Sequence, residues 1–110
     1  MNCLVVDDNE MSRIVIQQLI KLDDSLVLIS QCDNATDAHN KILTEPIDLI
    51  LLDIEMPNMN GIELAKRLSN NKPLIIFTTG RRDYAVEAFD LKVVDFLIKP
   101  IAPFRFLQAI

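Results

Sequence analysis

Five apolar runs of strand length recur along the chain, each followed by a segment with helical spacing. No other feature restricts the fold as much. The runs are Asn2–Val6, Leu26–Ser30, Ile47–Leu52, Leu74–Thr78 and Val93–Ile98. After the first run, apolar residues return at spacings of three and four as Met11, Ile14, Val15, Leu19 and Leu22. Ala35, Ala38, Ile42 and Leu43 mark a second helix, and Ile62, Leu64, Ala65 and Leu68 a third. Tyr84, Ala85, Ala88 and Phe89 mark a fourth. Phe104, Leu107 and Ile110 begin a fifth that the sequence cuts short. Asp8 or Asn9, Asn34 or Thr36, and the Asn60-Gly61 step supply helix starts. Strands that are apolar nearly throughout belong to a parallel sheet covered on both faces. Right-handed crossovers then give an α/β, doubly wound, five-stranded sheet with strand order 2-1-3-4-5.

The 110 residues suffice for one domain. No apolar run approaches the roughly 18 residues that span a membrane, and the start MNCLVVDDNE lacks a basic leader. A cytoplasmic protein with no membrane association is expected. With 16 acidic against 11 basic residues the net charge is −5, so a phosphate backbone would be repelled and no nucleic acid is expected to bind this domain directly. Cys3 and Cys32 lie in apolar runs without metal-type spacing and read as buried reduced thiols. His39 is alone on a polar helix face and reads as an ordinary surface residue.

In open α/β sheets, ligands bind beyond the carboxyl ends of the strands, where the strand order reverses. The first strand ends in Asp7-Asp8 and the third in Asp53. The fourth ends in Thr79-Gly80 and the fifth in Lys99-Pro100. Three close carboxylates raise each other's proton affinity unless a cation holds them ionised. Mg²⁺, with Mn²⁺ as a substitute, suits a shallow oxygen site where it keeps several waters, and Lys99 is a mobile point charge. Cations plus a hydroxyl are also what a phosphoryl group needs, and a carboxylate among them can attack phosphorus to form an acyl phosphate.

The residues VVDDN (5–9), LLDIEMPNMNG (51–61), FTTG (77–80) and DFLIKPI (95–101) resemble, in order and spacing, the receiver domain of two-component response regulators. The likeness covers nearly the whole chain and implies a flavodoxin-like receiver fold over residues 1–110, a signalling domain and not an enzyme. It implies phosphorylation of Asp53 by a sensor histidine kinase. Asp7, Asp8, Asp53 and the backbone carbonyl of Glu55 would hold the metal. Thr79, Gly80 and Lys99 would meet the phosphoryl group, and Phe96 would turn inward as the switch aromatic. Met56, Pro57, Gly61 and Pro100 take structural positions, Pro100 matching a proline often preceded by a cis bond. Glu55 and Arg81 would flank the phosphoryl group and pair across it, shielding it from water and lengthening its life.

The stretch YAVEAFD, with DFLIKPI and RFLQAI, is similar to receivers coupled to LytTR-type DNA-binding domains. A longer regulator is therefore expected, with its output domain outside this sequence and a surface from Tyr84 to Ile110 that changes on phosphorylation. A homodimer through the fourth-helix to fifth-helix face would fit that family. Tyr84, Ala88, Phe104 and Leu107 are expected to face inward. Three other classes compete. A phosphorylation-independent interaction module would not need the acid–threonine–lysine set. An aspartyl-phosphate phosphatase would want a second Asp where Glu55 stands. A dinucleotide-binding domain would want glycines where Asp7-Asp8-Asn9 lie.

Overall fold

Successive side chains of a strand point to opposite faces of its sheet, so each apolar strand can feed two cores. The computed structural model, which describes residues 1–68 and 73–110, shows that arrangement. The elements are β1 (Asn2–Val6), α1 (Glu10–Ile20), β2 (Val27–Cys32), α2 (Ala35–Thr44), β3 (Leu49–Asp53) and α3 (Gly61–Arg67). They continue with β4 (Leu74–Thr79), a 3₁₀ turn (Arg82–Tyr84), α4 (Ala85–Asp90), β5 (Asp95–Ile98) and α5 (Pro103–Ala109). All strands are parallel, in the order β2-β1-β3-β4-β5.

Cys3, Val5, Leu49, Leu51, Ile76 and Leu97 face one side and pack under α1 and α5, through Ile16, Leu19, Ile20, Phe106 and Ala109. Leu4, Val6, Ile50, Leu52, Ile75 and Phe77 face the other, under α2, α3 and α4. Phe77 and Phe106 are fully buried, one in each core, and side chains of that size each stabilise by about 1.5–3 kcal/mol. Among the described residues no helix is long and apolar enough to cross a membrane.

Three asparagines start helices. The side chain of Asn9 accepts from Ser12 N, that of Asn34 from Asp37 N, and that of Asn60 from Glu63 N, with Glu63 reaching back to Asn60 N. Each satisfies a donor the first helical turn would leave open.

The helix faces differ from the expected ones. In α1, Met11, Ile14 and Val15 are exposed, and Ile16, Leu19 and Ile20 are buried; Leu22, expected on the same face, lies past the helix end and is exposed. A helix lying on a sheet buries a narrow stripe, and two overlapping apolar stripes share Leu19, so spacing alone does not choose between them. Likewise Leu43 is exposed beside buried Ala38, and Phe89 is 82% exposed beside buried Ala88. In α5 the expected inward pair, Phe104 and Leu107, is exposed, and Phe106 and Ala109 are buried instead. Pro103 stands in the first turn of α5, where its missing N–H costs no helix bond. Tyr84 is half-buried and belongs to the 3₁₀ turn. β2 runs Val27–Cys32 rather than Leu26–Ser30 and alternates in exposure, as an outer strand does.

Candidate phosphoacceptor and metal site

Strand parity decides which side chains meet at the carboxyl edge. Val5, Leu51 and Leu97 face the α1/α5 side, so Asp7, Asp53 and Lys99, each two residues further on, project to that same side. Lys99 Nζ lies 2.8 Å from Oδ2 of Asp7 and 3.2 Å from Oδ1 of Asp53. Asp7 is 0% and Asp53 2% exposed, whereas Asp8 is open to solvent. One carboxylate oxygen from each of Asp7, Asp8 and Asp53 lies within 4.8 Å of the others. The expected acid–lysine cluster is thus assembled.

Backbone bonds fix its members. Asp7 Oδ1 accepts from Asn9 N at 2.9 Å, and Arg13 Nη1 donates to the Asp7 carbonyl at 2.7 Å. Lys99 N donates to Thr79 O at 2.8 Å, joining β5 to β4 at the rim, and the Lys99–Pro100 bond is cis. After Asp53, Ile54 N donates to Thr78 O at 3.0 Å, and Gly61 N returns to Ile54 O at 2.9 Å. The intervening turn carries Asn58 at φ 66°, a conformation Asn tolerates. Met56 is buried in the α2/α3/α4 core, while Pro57 is exposed. A Cβ on Gly61 would collide with the Asp53 carbonyl oxygen and stand 3.0 Å from Ile54 Cα. Gly61 thus lets α3 begin directly against the end of β3. Gly80 meets no such neighbour.

Burial pushes the Asp53 carboxyl up to about 7; Lys99 opposes this, and the charge of Asp7 adds to it. Lys99 is itself raised: burial opposes its charge, but the bonds and charges of Asp7 and Asp53 outweigh that. One ammonium for three carboxylates leaves a formal excess of two negative charges. A hard divalent cation fits this donor set. The ligands are all oxygen, Asp8 at the rim leaves space for waters, and a cation would offset the burial that favours the protonated Asp53 carboxyl. Among the described residues no backbone N–H donates to the Glu55 carbonyl oxygen, which leaves it free as a further donor.

Thr79 is fully buried, and its hydroxyl donates to Glu55 Oε1 at 2.7 Å. The expected Glu55–Arg81 pair is not formed. Arg81 turns back to Asp83, two residues along its own loop, and lies over the Tyr84 ring at 5.4 Å. The near partner wins because it is held by the same short turn. Phe96 pairs in register with Phe77 and is half-buried against the α2/α3/α4 core, not fully inserted. Sequence reasoning passed over Thr78, which pairs with Asp53 in the sheet and whose buried hydroxyl has no partner among the described residues. It also passed over Arg13, whose helical position does not advertise a bond to the Asp7 carbonyl.

An acid cluster with a bridging lysine at the carboxyl edge of a 2-1-3-4-5 sheet defines a class of phosphate-handling α/β domains. The family model described as the response regulator receiver domain matches residues 3–110, and the chain belongs to that family. It is 37% identical over its whole length to the sensory transduction protein LytR of Staphylococcus epidermidis, and spans 44% of that protein. It is 32% identical over its whole length to the transcriptional regulatory protein LytR of Staphylococcus aureus, and spans 46% of it. The response regulatory domain of protein mrkE from Klebsiella pneumoniae has a similar structure, with a TM-score of 0.92 and 29% identity. That match covers 99% of this chain and 91% of the other. The chain therefore spans under half the length of the curated relatives it matches.

Proposed function

We propose that the chain is a phosphorylation-dependent switch whose phosphoacceptor is Asp53. The observation that carries this reading is Lys99 bridging Asp7 and Asp53. The lysine orients one oxygen of Asp53 and supplies positive charge where a phosphoryl oxygen would lie. Ionised Asp53 attacks phosphorus of a phosphohistidine. The new O–P bond forms as the N–P bond breaks, and the imidazole leaves with a proton. Bound Mg²⁺, held by Asp7, Asp8, Asp53 and the Glu55 carbonyl, would neutralise charge on the phosphoryl oxygens.

A cavity of about 350 Å³ beside Lys99, lined by Met11, Val15, Ile16, Pro100 and Ile101, supports a sensor histidine kinase as donor. It offers an apolar seat for a helix that presents its histidine at the acid rim. The output surface is α4–β5–α5. Val86, Phe89 and Phe104 are exposed there, and Arg105 pairs with both oxygens of Asp95 at 2.6 and 3.0 Å. Thr79 moving to the phosphoryl group would free room for Phe96 to insert. That surface would then control a homodimer or an output domain, in line with relatives named as transcriptional regulators. A LytTR-type DNA-binding output is the finer form of this proposal.

Incubation with phosphoramidate and Mg²⁺ tests the reading. One hydroxylamine-labile phosphoryl group is expected on the chain, and none when Mg²⁺ is chelated. Equal labelling with chelator would overturn it.

A further inference from the structure

The hydroxyl of Thr79 has a single proton to give. In this structure that proton is committed, because Oγ1 donates to Glu55 Oε1 at 2.7 Å while accepting Arg81 N at 3.1 Å. The bond joins the β3–α3 turn to the base of the β4–α4 loop, across the top of the sheet. The guanidinium of Arg81 is engaged with Asp83 and Tyr84, so it does not compete for the Glu55 carboxylate. Thr79 can donate to Glu55 or to a phosphoryl oxygen on Asp53, and not to both. A dianion on Asp53 would also repel a carboxylate two residues away in sequence.

We propose that Glu55 is a positioning residue that latches Thr79 in the unphosphorylated conformation, so that a phosphoryl group must take the Thr79 proton from the Glu55 carboxylate before the switch turns. The proposal rests on the reading of Asp53 as phosphoacceptor. It gives Glu55 a side-chain role separate from its backbone carbonyl. A latch of this kind lowers the apparent affinity for any ligand that requires the released state, by the fraction of molecules already released.

The test is calorimetric titration of beryllofluoride, a phosphoryl analogue, in saturating Mg²⁺. The chains compared are wild type, Glu55→Ala, Glu55→Gln, Thr79→Ala and the double variant Glu55→Ala/Thr79→Ala. A charge-assisted hydrogen bond has the strength to hold the switch back by about 10- to 150-fold, so Glu55→Ala is expected to bind that much more tightly than wild type. Glu55→Gln keeps an acceptor oxygen and is expected to gain less than Glu55→Ala. In the Thr79→Ala background, adding Glu55→Ala is expected to gain clearly less than in the wild-type background, because only charge repulsion is relieved and the bond it would break is already gone. Equal tightening in both backgrounds would assign the effect to charge alone and overturn the latch. Unchanged affinity in Glu55→Ala, or an equal gain in Glu55→Gln, would overturn it too. Wild type that binds no beryllofluoride would instead overturn the underlying reading of Asp53.

Discussion

Lys99 holds Asp53 from one side: its Nζ sits 3.2 Å from Oδ1, and it shares its charge with Asp7 at 2.8 Å. One ammonium between two buried carboxylates does not balance them. At Asp53 burial outweighs the lysine, with the charge of Asp7 adding to it, and pushes the carboxyl up to about 7. Lys99→Met keeps the aliphatic stem and removes the charge. The Asp53 midpoint is expected to move upward from about 7, followed by carboxyl ¹³C NMR in metal-free buffer. A midpoint that falls or stays would show that Lys99 does not act on Asp53.

The raised Asp53 carboxyl makes stability depend on pH. The folded-state value of Asp53, about 7, lies above the ordinary carboxyl value of 3.8, so between those limits the folded chain binds the proton more tightly than the unfolded one. Stability from this group is therefore full below the unfolded value and is lost as pH rises through the folded one. Asp53→Asn removes the titration. In chelator, the stability advantage of the variant over wild type is expected to grow by a few kcal/mol from pH 4 to pH 8, read from urea midpoints. Mg²⁺ is expected to shrink that difference by supplying the missing positive charge.

The two glycines make a matched pair of tests. Alanine at Gly61 gains helix propensity but drives a methyl into the Asp53 carbonyl. The collision is expected to win, with a loss of about 1–3 kcal/mol in urea unfolding and weaker Mg²⁺ binding. Alanine at Gly80 meets open space. Its stability is expected to stay within about 0.5 kcal/mol of wild type.

How much of this was legible in the sequence follows from what each feature depends on. Asp7, Asp53 and Lys99 were legible because their place at strand ends follows from strand parity and topology, which five apolar runs specify. Glu55 was legible as a position and not as a contact. Its carboxylate reaches Thr79 rather than Arg81 because Asp83 claims the guanidinium, and that depends on the local path of the 3₁₀ turn. The rotation of α5 was not legible. Phe104 and Phe106 are two residues apart, and a seven-residue helix has too few turns for periodicity to choose between them.

Lys92 follows α4 at φ 57°, a left-handed conformation that suits glycine or asparagine. Its side chain is exposed and its backbone N–H caps Phe89 O at 3.0 Å. Lys92→Asn is expected to stabilise the chain by about 0.5–1 kcal/mol, because Asn adopts this conformation with less strain. Urea midpoints measured without Mg²⁺ check it, and a loss of stability would mean that the lysine stem contributes packing of its own.

Asp53 is the proposed acceptor of the phosphoryl group. Borohydride reduces an acyl phosphate to an alcohol, so a phosphorylated aspartate becomes homoserine, which peptide mass spectrometry locates. After phosphoramidate and Mg²⁺, homoserine is expected at position 53 and at neither Asp7 nor Asp8. Homoserine at one of those positions instead, or a labelled chain with aspartate intact at 53, would rule out Asp53 as the acceptor.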